Sequence, residues 1–141
     1  MKTLCTVLML CGACFAATPP DMPVDCAESS FQKRNYHCVL MESHLEDAPS
    51  WDSEKNPPPL SAKKAVSLAL SDIAARLGRH PFWASSPGWE LHQVSLVAVH
   101  TSNVWYYRIS LKPMVPGSGL HPSVTVFVTL DGKVVPLTEK K

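Results

Sequence analysis

The stretch that most constrains this chain runs from Leu60 to Leu137, where one capped amphipathic helix is followed by strand-like runs that close on Leu130-Asp131-Gly132-Lys133-Val134-Val135. Ser61 can accept from the free N–H groups of a first turn, Ala62 to Leu77 reads as helix throughout, and Gly78 supplies a left-handed stop. Val66, Ala69, Leu70, Ile73, Ala74 and Leu77 recur at three- and four-residue spacing and predict the core face. His80 to Gly88, with Pro81 and Pro87, cannot continue the helix and reads as a loop whose Phe82 and Trp83 cap the core.

Three strand signals follow. Trp89 to His100 is apolar and β-branched, with an irregular period around Val94 that suggests a bulge. Thr101-Ser102-Asn103 makes a turn. Val104 to Lys112 then alternates, with Trp105, Tyr107, Ile109 and Leu111 on the core face and Tyr106, Arg108, Ser110 and Lys112 on the other. Past a loop from Pro113 to Pro122, Val124, Val126, Val128 and Leu130 point inward. Asp131-Gly132 makes a hairpin turn, and Val134 and Val135 pair back until Pro136 ends the ladder. The expected fold class is α+β: one N-terminal helix packed on a small antiparallel sheet of three to four strands, preceded by a signal peptide and a largely irregular arm.

The first residues set the compartment. Lys2, the apolar run Leu4 to Leu10 and the small residues Gly12, Ala13, Ala16 and Ala17 form an export signal too short to span a bilayer. Cleavage after Ala16 starts the mature chain at Ala17. A rival reading takes Leu10-Cys11-Gly12-Ala13-Cys14 as a lipobox with Cys14 lipidated, which would tether the chain to a membrane. The expected location is extracytoplasmic, periplasmic or secreted.

Export leaves Cys26 and Cys38 as an even pair in an oxidising compartment, and the pair reads as a disulfide. It would close a loop of about a dozen residues, worth roughly 3 kcal/mol. Two free thiols, a metal pair and a nucleophilic cysteine beside His37 are the other readings.

From residue 17 to 59 the chain is rich in Pro, Ser, Asp and Glu and ends at Asn56-Pro57-Pro58-Pro59, an arm and stiff spacer before a domain at 60–138. Charge divides at the same place. Eight acids against three bases give the arm −5, and nine bases against four acids give the remainder +5. Either the acidic arm folds back over a basic face, or that face meets an anionic ligand or lipid headgroup, or the charge only solubilises. The bases are dispersed, which argues against nucleic acid.

Leu60-Ser61-Ala62-Lys63-Lys64-Ala65-Val66, the strand around Trp105-Tyr106-Tyr107-Arg108-Ile109, and the closing Leu130-Asp131-Gly132-Lys133-Val134-Val135 resemble the PepSY domain pattern over residues 60–137. The resemblance implies a non-catalytic extracytoplasmic module, in some relatives proposed to restrain peptidases, with a PepSY-like or cystatin-like helix-on-sheet fold. No catalytic residues and no cofactor come with it.

The residues expected to contact a protein or peptide partner are those of the polar sheet face: Tyr106, Arg108, Lys112, Thr125, Phe127 and Thr129. The opposite reading is that the acidic arm, or the edge of the sheet, already covers them. His37, His44, His80, His92, His100 and His121 show no ligand spacing on one helix, and there is no phosphate loop, nucleophile elbow or paired-carboxylate motif. The chain reads as a binding or inhibitory module. A structural envelope protein anchored at Cys14 is the alternative, and a small metal-dependent enzyme the more remote one.

Overall fold

A computed structural model describes residues 19–31, 33–77, 88–100, 102–114 and 123–140. The expected export signal, the lipidation candidate Cys14, Gly78, the aromatics Phe82 and Trp83 expected to cap the core, and most of the stretch 113–122 lie outside the described residues.

Two three-stranded antiparallel sheets and one helix make up the fold. The chain enters with β1 (Pro23–Phe31) and β2 (Arg34–Met41), a hairpin in which Lys33 stands at φ 61°. A single 3-10 turn, Glu42–Leu45, and an irregular crossing lead to α1 (Ala62–Leu77). Then come β3 (Trp89–Ala98), β4 (Trp105–Pro113), β5 (Val124–Thr129) and β6 (Leu137–Lys140). The sheet orders are β1-β2-β6 and β3-β4-β5.

The expected single sheet with an irregular arm is therefore corrected. Residues 23–41 form two strands of a second sheet, and the chain end returns to complete it. The reason lies in the inward row of β1, Asp25, Ala27, Ser29 and Phe31. Two of its four members are polar, so the two-residue period carries almost no hydropathy signal although Ala27, Ser29 and Phe31 are buried. Pro136 does end the pairing against β5, after the Val128–Val134 bridge and the bond from Val135 N to Phe127 O at 2.9 Å. Past it, Leu137 starts a fresh ladder opposite Cys38.

The sheet β3-β4-β5 is the central layer. On one side, α1 contacts all three of its strands. Its buried stripe is Ala65, Ala69 and Ile73, one residue in four, with Val66, Leu70 and Leu77 half-buried beside it. Ala74, placed in the core face by periodicity, is exposed. The two alanines let the helix axis approach the sheet closely, so the stripe turns toward them. Ser61 caps the helix as expected, its Oγ accepting from Lys64 N at 3.3 Å, and the Tyr107 hydroxyl donates to Leu60 O at 2.7 Å just ahead of it.

On the other side, β1 and β2 lie against β5. Covered on both faces, all six residues of β5 are buried. That explains its apolar and β-branched run Val-Thr-Val-Phe-Val-Thr better than a half-exposed strand would. The segment between the sheets is pinned as well. Ser50 bridges Val104, Trp51 N donates to Asn103 O, and the Trp51 ring stands edge-on to Trp105 at 5.1 Å.

Candidate functional site

The residues singled out for partner contact lie together on one face of β4 and β5, and most of that face is interior. Tyr106 pairs with Thr129, Arg108 with Phe127 and Ser110 with Thr125. Phe127 and Thr129 are fully buried, and Tyr106 and Thr125 nearly so. Thr125 and Ser110 join hydroxyls at 2.8 Å, while Thr125 N donates to Ser29 Oγ on β1. The Thr129 hydroxyl is held by Asp131 and by Lys133 N. Lys112 is half-exposed and paired with Glu90 at 2.9 Å. Arg108 is exposed and Lys112 partly so, but the other four are buried, so the six do not form one continuous accessible patch.

Asp25 is the contact that seats the hairpin. Its carboxylate accepts from the Tyr106 hydroxyl at 2.8 Å and from Cys26 N at 2.8 Å, and faces Arg108 Nη1 at 3.4 Å. The guanidinium carbon stands 5.9 Å from the centre of the Phe127 ring, which Tyr106 meets edge-on. Burial, followed by the bond to the Asp25 carboxylate, pushes the Tyr106 phenol well above its ordinary range. Further pairs tie the acidic N-terminal half to the basic remainder: Asp47 to Lys133 at 2.8 Å and Glu28 to Lys140 at 3.2 Å. The charge asymmetry of the sequence is thus partly an internal complementarity.

Cys26 and Cys38 are free thiols, which corrects the disulfide expectation. Cys38 stands opposite Ala27, and Cys26 stands opposite Val39. Neighbours along a strand face opposite ways, so Cys38 enters the core with Ala27 while Cys26 emerges on the outer face. The two sulfurs are on opposite sides of one sheet. Desolvation raises the Cys38 thiol to about 11.

Among the described residues no group of three His, Cys, Asp or Glu side chains could hold a metal ion, and no helix is long and apolar enough to cross a membrane. His92 falls within the register shift between Leu91 and Gln93, the bulge that the sequence suggests nearby, and is exposed.

What the reading of side chains missed is a backbone feature. Among the described residues β3 lies at the edge of the central sheet and pairs only with β4. Val99 N donates to Val104 O at 2.9 Å, and backbone groups alternate in direction along a strand. Val97 and Ser95, opposite Tyr106 and Arg108, share the direction of Val99. Val94, Leu96 and Ala98 therefore turn their N–H and C=O groups outward, where no described residue meets them. The strand carries one charge, Glu90, and no lysine or proline, and it is half-buried from Val94 to Ala98. Its bulge disturbs only the N-terminal half, so the usual protections of an edge are absent over the last five residues. The signal was present in the sequence as an almost uncharged ten-residue strand.

No known protein family matches this chain. No curated protein and no solved structure matches it either.

Proposed function

We propose that this protein is a non-catalytic, extracytoplasmic binding module that takes a protein or peptide partner as an added strand along β3. The open edge from Val94 to Ala98 is the observation that carries the reading. Three consecutive outward N–H and C=O pairs provide a template for main-chain hydrogen bonds, and the half-exposed apolar side chains around them offer area for alternate side chains of the guest. The residues 60–137 that resemble PepSY domains contain this strand, and the restraint of peptidases implied by that resemblance is one use of such an edge. The export signal at residues 1–16 supports the extracytoplasmic location.

Ala98→Pro removes one outward donor without touching the ladder to β4, because the Ala98 amide does not face that strand. Envelope extract passed over the wild-type protein and over Ala98→Pro, each shown folded by circular dichroism, is expected to yield a partner with the first and not the second. Bound partner should also slow hydrogen exchange at the Leu96 and Ala98 amides. Equal recovery on both, or binding with no added protection at these amides, would sink the reading.

A further inference from the structure

The β3 edge does not stop at Ala98. Val99 continues into a groove of about 190 Å³ at the turn between β3 and β4. Val24, Leu45, Val99 and Val104 line its walls, and Glu42 and Glu46 stand at it on the 3-10 turn and the residue after. The acids around it are not equivalent. Asp47, next along the chain, is paired with Lys133, and Asp21 accepts from the Ser43 hydroxyl and amide. Glu42 and Glu46 are exposed and have no cation partner among the described residues. His44, between the two acids in the chain, uses Nδ1 to accept from Met41 N and is paired with neither carboxylate among the described residues.

We propose that the strand accepted by β3 is an extended peptide with a lysine or arginine at its N-terminal flank, the basic side chain lying in this groove against Glu42 and Glu46. The inference rests on the strand-addition reading above and adds polarity and a sequence requirement to it. A guest pairing antiparallel to β3 begins where β3 ends, at the Ala98–Val99 side. There it meets apolar walls suited to a methylene stem and two carboxylates suited to a cationic head. A second copy of this chain is less well matched. Antiparallel pairing of two β3 strands brings the Trp89-Glu90 end of one toward the groove of the other, and that end offers no free cation, because Lys112 there is already paired with Glu90.

The test uses N-acetylated hexapeptides of alternating Thr and Val that begin with Lys, Gln or Glu, together with one that ends with Lys, titrated into the full mature chain by fluorescence anisotropy at low and physiological salt. The Lys-first peptide should bind about fivefold or more tightly than the Glu-first peptide, the gap narrowing with salt. The Lys-last peptide should lose the advantage. Glu42→Gln with Glu46→Gln should bring all four peptides to one affinity, and Ala98→Pro should abolish binding of every peptide. Equal affinity of Lys-first and Glu-first peptides, with Ala98→Pro still abolishing both, would overturn the basic-flank requirement and leave strand addition standing. Binding of no peptide, or binding indifferent to Ala98→Pro, would overturn both. A dimer seen by sedimentation velocity and lost in Ala98→Pro would assign the edge to a second copy instead.

Discussion

At the scale of single residues, Asp25 and Cys38 show how position on a strand overrides residue type. Asp25 belongs to the inward row of β1, and its charge is tolerated there because a phenol, a backbone amide and a guanidinium meet it. Removing the Tyr106 hydroxyl while keeping its ring should cost about 1–2 kcal/mol. Tyr106→Phe, Asp25→Ala and the double variant, compared by urea unfolding, are expected to be non-additive, since each removes the same bond. Cys26 should react with iodoacetamide in the native protein and Cys38 only after unfolding, and the intact mass should show no loss of two hydrogens. Burial raises the Cys38 and Tyr106 protons out of their ordinary ranges. A raised pKa contributes stability that is complete below the unfolded value and is lost as pH rises toward the folded one. For Cys38 that window runs from 9.0 to about 11. Stability measured across it should fall, and Cys38→Ala should flatten part of the decline.

At the scale of elements, local chemistry was the readable part. The helix start, the Ser61 cap, the inward row Tyr107, Ile109 and Leu111 of β4 and the Asp131-Gly132 turn all follow from neighbours in sequence, and the structure has them. Gly132 stands at φ 89°, a conformation costly for a side chain, while a Cβ built there would meet Leu68 Cδ1 at an ordinary 3.6 Å. Gly132→Ala should therefore destabilise through backbone conformation rather than collision, by about 1 kcal/mol, read as a lower thermal midpoint with the β-sheet spectrum unchanged. β1, β2 and β6 were not legible for the opposite reason. Their burial is created by each other and by β5, so Ser29 and Cys38 count as interior only once Thr125 and Ala27 are beside them. The candidate site inherited that error, since Tyr106, Thr125, Phe127 and Thr129 look like an exposed face until the hairpin is in place.

At the scale of the whole molecule, the proline-rich stretch divides the sequence but not the core. Phe31, Leu40 and Leu45 on one side of it and Ile109, Phe127 and Leu137 on the other belong to one buried cluster. A chain beginning at residue 60 would expose Tyr106, Phe127 and the outer edge of β5, and leave β6 without β2. It is expected to melt without a sharp transition and to bind a hydrophobic dye, and a cooperative melt from that fragment would show that the first hairpin is dispensable. The sequence by itself determined what depends on near neighbours: where the helix starts, that Tyr107, Ile109 and Leu111 of β4 enter the core, and where the last hairpin turns. Only the tertiary structure decided that a second sheet exists, that the two cysteines face apart and that β3, among the described residues, pairs on one side alone. The second sheet is completed by pairings between residues about a hundred positions apart, such as Cys38 with Leu137, which no local period records.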